Sequence, residues 1–445
     1  MKRTIASFMI AAPKSNSGKT LITLGLINTF KNLGNRVQTF KCGPDYIDPM
    51  HHKYNSGNAS YNLDSWMSSK KHVKSLYQKH TTYSDICITE GVMGLFDGAY
   101  KDKGSSADIA KLLDLPIVLV IDASSTAYSV APLLYGFKNF DKNINLVGVI
   151  FNKVASESHY QFLKDAAYDA NVRCFGYIPR DPELIIESRH LGLQLPGEQN
   201  SVSLVNRASK LIKEHINLKL LLSKSSKDIE ISKSKIEDTN SSCKKKLKIA
   251  LAYDKAFSFT YQANIDVLKE IGEITYFSPL TDKELPNADL LWLPGGYPEL
   301  FAKELSSNTS MHKSIIKFIN NNKTVIAECG GMMYLGAQMT LKNGSTYNMV
   351  GAFNYSTSME KMKLHLGYRK IAISSDINIL AHEFHFSSIT QTDKNILNTN
   401  VTTARNIKST LTIYRKNNCW TSYAHLYLGE KEKMIEFLRW LNLKC

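Results

Sequence analysis

Two α/β units in tandem, the first a phosphate-loop domain built on a parallel sheet, are what this sequence predicts, and three observations predict it. Apolar β-runs alternate with helical stretches through the first half of the chain. A Gly-Lys-Thr loop follows the first of those runs directly. A second series of apolar strands restarts after a polar, lysine-rich stretch near the middle.

Taken in order, Thr4–Ile10, Arg36–Phe40, Asp85–Thr89, Ile117–Ile121, Leu146–Phe151 and Val172–Ile178 read as strands. Most are continuous apolar runs, as required when helices cover both faces of a parallel sheet. Met1-Lys2-Arg3 ahead of Ile5–Ala12 imitates a short signal peptide. The run feeds straight into a phosphate-binding pattern, however, so it reads as the first buried strand. Lys19–Leu33 reads as a helix stopped by Gly34, and Ser203–Leu222 as a closing helix. Residues 223–246 carry Ser-Lys-Ser-Ser-Lys-Asp and end Ser-Ser-Cys-Lys-Lys-Lys, with few apolar positions and no steady period. That is a solvated linker. The expected boundaries are therefore 1–222, a linker over 223–246, and 247–445. Beyond the linker, Leu247–Tyr253, Ile274–Phe277, Leu290–Leu293 and Thr324–Ala327 read as strands, and Met332–Gln338 as a helix. No internal repeat is present.

Composition narrows the function classes. Hydrophobic residues at 43% and charged residues at 21% suit globular domains with cores. No apolar run reaches the ~18 residues that span a bilayer. The seven cysteines are scattered, odd in number and without a Cys-x-x-Cys pair, so neither a disulfide framework nor a zinc knuckle is expected. A reducing cytoplasm fits. The net charge of +15 lies partly in the linker, and no basic helix or aromatic–basic alternation marks a nucleic-acid surface. A polyanionic small substrate would profit equally from such a field.

The chemistry starts after the first strand, at Ala12-Pro13-Lys14-Ser15-Asn16-Ser17-Gly18-Lys19-Thr20. Strand, small-residue loop, Gly-Lys-Thr and helix is the context of a Walker A motif, here with Pro13 in place of the usual first glycine. Backbone N–H groups at a helix N-terminus meet phosphate oxygens, Lys19 neutralises charge and Thr20 can hold Mg²⁺. Lys14, Ser15, Asn16, Ser17, Gly18, Lys19 and Thr20 are the candidate ATP-binding residues. Two acidic clusters follow at strand ends, Lys41–Pro49 and Glu90–Gly98, where ligands of an open parallel sheet bind. Carboxylates beside ATP normally carry Mg²⁺ through hard oxygens. Asp45 and Glu90, with Thr20, are the candidate metal ligands. Asp48 and Asp97 are candidates either for metal or for orienting the substrate and its acyl phosphate. Asn152 is a candidate contact to the nucleotide base, as are Lys153 and Pro179-Arg180-Asp181, although strand-end turns use such residues anyway.

In the second unit, strand Thr324–Ala327 runs into Glu328-Cys329-Gly330-Gly331. A nucleophile on a sharp strand-to-helix turn stands exposed, with following N–H groups forming part of an oxyanion hole. The helix N-terminus is expected to favour thiolate at Cys329. Pro294-Gly295-Gly296 follows strand Leu290–Leu293, so Gly295, Gly296 and Gly330 are the candidate oxyanion donors. A thiol nucleophile needs a base, and His382, His385 and His425 are candidates among which position alone does not choose.

At these residues the chain resembles the cobyrinic acid a,c-diamide synthase family, which includes the hydrogenobyrinic acid enzymes. The resemblance runs over nearly the whole chain. It is carried by the phosphate loop, Lys41–Pro49, Glu90–Gly98, Arg189–Leu193, Ala252–Phe259, Leu293–Glu299, Glu328–Met332 and His382–Phe386. It implies a dethiobiotin-synthetase-like ATP domain followed by a class I-type glutamine amidotransferase domain. It also implies successive amidation of the a and c carboxylates of a corrin ring, using ATP and glutamine, with Mg²⁺ expected from the acids read above. Through it, Cys329 becomes the residue that attacks glutamine and His425 its base, with Tyr427 where many relatives carry an orienting glutamate. The implied partners are a corrinoid, ATP and glutamine, with no nucleic acid and no membrane; a homodimer is an open option. Cobyrinate, metal-free hydrogenobyrinate and a nickel sirohydrochlorin remain open as the ring. A nucleotide-switch ATPase with a second loop lysine at Lys14 is the rival from another class.

Overall fold

Strand β1 (Lys2–Ala11) shows why the first half folds as it does. Met9 and Ala11 enter one apolar cluster, while Phe8 and Ile10 enter another on the opposite face. Such a strand has to lie inside a sheet covered on both sides. The computed structural model describes residues 2–184, 199–230, 246–374 and 376–443, and the chain divides into two units, Met1–Glu237 and Asp238–Cys445. No helix among the described residues is long and apolar enough to cross a membrane.

In the first unit β1 is followed by α1 (Lys19–Asn32), β2 (Val37–Cys42), α2 (Ile47–Ser56), β3 (Tyr61–Leu63) and α3 (Lys70–Thr81). Then come β4 (Ile86–Glu90), α4 (Ser106–Leu113), β5 (Pro116–Asp122), α5 (Val130–Asn139) and β6 (Asn145–Val154). The unit closes with α6 (Glu157–Asp169), β7 (Cys174–Pro179), α7 (Gln199–His215), α8 (Leu218–Ser225) and β8 (Ser226–Glu230). The strand order is β3-β2-β4-β1-β5-β6-β7, with every pair parallel. Because β2, β4 and β1 are neighbours, the three loops that leave their carboxyl ends open into one crevice.

Two expectations are corrected here. The closing helix is two helices, broken where the Asn217 side chain accepts from Leu220 N to cap α8. Residues 223–230, expected as linker, instead finish α8 and form β8, antiparallel to the first half of β1. The pairing runs through main-chain groups, so a polar sequence without a period hides it. Residues 231–245 and the Arg189–Leu193 stretch lie outside the described residues.

The second unit starts with β9 (Leu247–Ala252), α9 (Gln262–Ile271), β10 (Gly272–Phe277) and β11 (Leu290–Leu293). It continues through α10 (Ala302–Ser307), α11 (Thr309–Asn320), β12 (Thr324–Glu328) and α12 (Gly330–Leu335). Helix α12 stops three residues before the expected end, at Gly336, where the backbone turns extended at ψ 176°. Short strands follow: β13 (Gln338–Thr340), β14 (Thr346–Asn348), β15 (Ser356–Ser358), β16 (His365–Ala372) and β17 (Asn378–His385). The rest are β18 (Ser388–Gln391), β19 (Asn400–Thr403), β20 (Ile413–Lys416), β21 (Cys419–Ser422) and β22 (Ala424–Leu426), before α13 (Lys431–Trp440).

The main sheet has the order β10-β9-β11-β12-β21-β20, parallel except for β20. Its faces are again both buried: Ala250 and Ala252 enter one cluster, Ile249 and Leu251 the other. Two four-stranded sheets, β14-β13-β15-β18 and β19-β16-β17-β22, complete the unit. After β21 the chain passes from the main sheet into the second of these, which carries His425 across a sheet boundary.

Candidate active sites

The loop after β1 is shaped by its backbone. Gly18, at φ 93°, caps α1, and an added Cβ there would stand 2.1 Å from Asn152 Nδ2. Asn152 is buried, donates to Ser17 O at 3.0 Å and accepts from Lys153 N at 3.0 Å. The Asn152 amide nitrogen thus braces the loop from below, while its oxygen is held by the neighbouring Lys153 N–H. Lys14, Ser15 and Asn16 are exposed at its tip, and Asn16 has a left-handed φ of 62°. Ser17 is buried, with its hydroxyl on Lys14 O at 2.9 Å. The Lys19 ammonium reaches across the loop to Met93 O at 2.6 Å and Lys14 O at 3.3 Å. Burial, and then the charge of Lys41, bring Lys19 down to about 8.

Behind the loop stands a buried polar cluster. Thr20 donates to Glu90 Oε1 at 2.6 Å and to Asp48 Oδ2 at 3.4 Å. Lys41 Nζ donates to Asp48 Oδ2 at 2.5 Å, Glu90 Oε1 at 2.9 Å and Gly91 O at 3.2 Å. His52 Nε2 meets Glu90 Oε2 at 2.7 Å, and its Nδ1 meets Ser60 Oγ at 3.2 Å. Burial works against every charge here and the ion pairs answer it. Burial alone would lower Lys41, but Asp48 and Glu90 hold it above its ordinary value. Glu90 is held below its ordinary value by Lys41 and His52 despite its burial. Asp48 is pushed up by burial and by the neighbouring Asp45 and Glu90.

Of the four acids singled out from sequence, Glu90 and Asp48 are therefore brought together with Thr20. Asp45, just ahead of α2, instead accepts from the first-turn Asp48 N at 2.9 Å. Asp97 is exposed and accepts from Gly94 N at 2.8 Å, shaping the loop after β4. Lys153 pairs with Asp122 at 2.6 Å and Asp181 with Arg207 at 2.7 Å, both at strand ends. Sequence reasoning missed Lys41 and His52 as members of the cluster. The signal for Lys41 was present: a lysine in a strand buried at every position needs an anionic partner. His52 lies four residues after Asp48 on α2, one helical turn along the same face.

In the second unit Cys329 sits at φ 46° and ψ −101°, at the junction of β12 and α12. A non-glycine residue there is strained by ~1–3 kcal/mol, and the bond from Cys329 N to Ser422 O at 2.8 Å helps hold it. Cys329 is 7% exposed as a residue, and its sulfur has Phe384 O at 3.9 Å and the Gly330 N–H facing it. The expected lowering of the thiol is corrected: burial, and then the charge of Glu299, push it well above its ordinary value. Helix α12 is only six residues long, so its dipole does not offset desolvation.

The two glycine loops and His425 converge on this turn. An added Cβ on Gly295 would stand 2.3 Å from His425 Cε1, and one on Gly330 would stand 3.0 Å from Gly296 N and 2.9 Å from Pro298 Cδ. Gly296, at φ 158°, lies against Ala256 O. The bare backbone of Gly295 is what lets the imidazole in. Gly295→Ala is accordingly expected to displace the ring and lower glutamine-dependent turnover ~100-fold or more, with the use of free ammonia unaffected. Parallel assays with the two nitrogen sources check it.

His425 is buried, and burial brings it down to about 3, so its ring is neutral and able to accept a proton. His382 pairs with it across β17 and β22 and is likewise brought down to about 3. Glu328 ties the nucleophile strand to the histidine strand. Its Oε1 accepts from Leu426 N at 2.8 Å and its Oε2 from Trp292 Nε1 at 3.1 Å, while burial raises it to about 8. His385 belongs to a separate network. It meets Glu383 Oε1 at 2.8 Å, Glu383 accepts from Arg369 Nε at 2.6 Å, and the His385 ring stacks on Tyr423 and on His365. His365, Glu383 and His385 are close enough for one cation to reach all three. The two rings, however, lie parallel to within 2°, which keeps their in-plane nitrogen lone pairs from meeting at one ion. Glu383 is also already engaged by Arg369, so the group reads as an ion-pair network. Glu299, half-buried on the turn after Gly296, is pushed up to about 7 by burial.

Both units of the chain match known families. Residues 8–193 match the CobQ/CobB/MinD/ParA nucleotide binding domain, and residues 248–433 match the CobB/CobQ-like glutamine amidotransferase domain. The cobyrinate a,c-diamide synthase of Picrophilus torridus is 39% identical over 97% of this chain and 98% of its own. That of Caldanaerobacter subterraneus subsp. tengcongensis is 42% identical over 86% of each chain. The hydrogenobyrinate a,c-diamide synthase of Brucella abortus is 39% identical over 87% of this chain and 90% of its own. With a nucleotide-binding unit followed by a glutamine amidotransferase unit, and such identity over nearly its full length, the chain belongs to the cobyrinate a,c-diamide synthase family.

Proposed function

We propose that the protein converts the a and c carboxylates of cobyrinate to amides, with ATP as activator and glutamine as nitrogen donor, as a step in cobalamin biosynthesis. One observation carries the reading: a phosphate loop backed by buried acids, and a cysteine elbow and a buried neutral histidine that both lie against the Gly295–Gly296 loop, occur in one chain. A carboxylate does not react with ammonia unaided. Its oxygen attacks the γ-phosphorus of ATP, the bond to the leaving ADP breaks, and an acyl phosphate results. Lys19 and the N–H groups of Ser15–Thr20 hold the phosphates, and Asp97 and Asp48 are the candidates for orienting the substrate.

Mg²⁺ belongs to this proposal. The donor set of Thr20 hydroxyl and Glu90 carboxylate suits a hard cation, and Asp48 lies within reach of both, with Asp45 beside it. Bound there with ATP, it would neutralise phosphate charge.

At the second site Cys329 Sγ attacks the carboxamide carbon of glutamine while its proton passes to His425. The tetrahedral oxyanion meets the N–H groups of Gly330 and the Gly295–Gly296 loop. His425 returns the proton to the departing nitrogen, ammonia leaves, and water later hydrolyses the thioester to glutamate. Since burial raises the thiol and keeps His425 neutral, proton transfer accompanies attack rather than preceding it. Ammonia then displaces phosphate from the acyl phosphate.

Mass spectrometry of the macrocycle after incubation with ATP, Mg²⁺ and glutamine tests this reading. Two stepwise conversions of acid to amide are expected, and an unchanged ring would overturn it. Equal identity to a hydrogenobyrinate enzyme makes the metal-free ring the competing substrate, and the same measurement on both rings separates them.

A further inference from the structure

Among the described residues, the two other carboxylates around the thiol have donors. Glu328 takes Trp292 Nε1 and Leu426 N, and Glu383 takes Arg369 and His385. Glu299 differs. It lies on the single 3₁₀ turn Pro298–Phe301, directly after the Gly295–Gly296 loop. The Pro298 ring that begins this turn rests against Gly330, the residue after the nucleophile. The Glu299 carboxylate is an electrostatic neighbour of both the Cys329 thiol and the Tyr423 hydroxyl. Among the described residues no lysine, arginine or histidine pairs with it, and its own backbone N–H is its one hydrogen-bond partner. A carboxylate so placed is held at a desolvation cost that no protein group offsets. The site thus offers an arriving substrate a carboxyl group beside the nucleophile that no cation among the described residues offsets.

We propose that Glu299 receives the α-ammonium group of glutamine and so decides which amides the thiol attacks. The assignment rests on the reading that Cys329 attacks glutamine. In that substrate the ammonium nitrogen lies roughly 5 Å from the carboxamide carbon, so a carboxylate one turn from the nucleophile loop is at a suitable range. Glutamine brings a cation that the described residues do not supply, and the carboxylate gains its partner as the ligand binds. An amide lacking the ammonium leaves Glu299 unpaired and loses that gain. Glu299 therefore acts on binding and selection, while bond making stays with Cys329 and His425.

The test uses the full chain and two amide donors, L-glutamine and glutaramate, which keeps the carboxamide and carboxylate but lacks the ammonium. The wild-type protein is expected to have a ~10–100-fold lower KM for glutamine than for glutaramate, the range for a charge-assisted contact. Glu299→Gln is expected to raise the KM for glutamine by that factor, to change kcat by no more than a few-fold, and to leave the KM for glutaramate in place. Glu299→Asp should retain part of the preference. Amidation from free ammonia serves as the fold control for both variants. A wild-type protein that takes both donors with the same KM overturns the proposal, and this outcome needs no variant. A Glu299→Gln protein that keeps its preference also overturns it, and a loss confined to kcat assigns Glu299 to proton transfer instead. Retention of glutamine turnover by Cys329→Ala would strike the nucleophile reading, a distinct failure from either of these.

Discussion

Cys329→Ala is expected to lower glutamine-dependent amidation by ~1,000-fold or more while leaving amidation from free ammonia intact. Three features make the effect large. The sulfur is the group placed to form the glutamyl thioester, with Gly330 N–H facing it and the His425 ring seated against Gly295. Its backbone sits at φ 46°, a strained position held by the elbow rather than by the side chain. Alanine keeps the Cβ and adds no further strain, so the turn should survive the change. The ammonia reaction needs only activation of the carboxylate by ATP, which the proposal assigns to the first unit. Initial rates with the two nitrogen sources read the split. Full glutamine-dependent turnover in the variant would remove the second site from the mechanism, and loss of both activities would break the proposed division of labour.

Lys41→Met should have the largest effect on stability. Lys41 Nζ lies between Asp48 and Glu90, and all three are buried. Removing one partner of such a group typically costs ~3–5 kcal/mol, because the remaining charges keep their desolvation cost and lose its compensation. For a unit of this size that corresponds to a fall in Tm of ~6–20 °C. The sign of the pH dependence follows from the two carboxylates. In the wild-type cluster Lys41 and His52 hold Glu90 below its ordinary value, which contributes stability that is present above the carboxylate range and lost as pH falls. Without Lys41, burial and mutual repulsion raise the pair, so the variant binds more protons folded than unfolded and loses stability as pH rises. The deficit against wild type should therefore shrink on moving from pH ~7.5 to pH ~5. Thermal melts at the two pH values check this, and activity with either nitrogen source should be lost together with the cluster. An unchanged Tm would mean that Lys41 does not compensate the acids.

The first site was readable in outline because its parts are short and local. A buried strand, a Gly-Lys-Thr loop and a helix are contiguous, and the acid clusters lie at strand ends. What stayed hidden was which acids meet. Asp45 and Asp48 are three residues apart at the start of α2, and spacing does not say which of them turns toward Thr20. The helix start decides: the Asp45 carboxylate accepts from the backbone N–H of Asp48, and the Asp48 side chain points inward to Lys41. At the second site the cysteine elbow and both glycine pairs were visible, while the choice among three histidines was not. His382, His385 and His425 lie on strands of three to eight residues in a sheet formed by distant pairings. A period cannot be read from segments that short.

The sequence by itself determined two α/β units, the phosphate loop, the cysteine turn and the acids beside the first strand bundle. Each follows from contiguous residues whose backbone preferences and burial pattern act over a few positions. Tertiary structure alone decided that β8 extends the first sheet, that Lys41 and His52 join Glu90, and that the thiol is raised rather than lowered. It also decided that His425 reaches Gly295. These depend on which surfaces are excluded from water and on which main-chain groups pair across long stretches of chain, and local sequence encodes neither.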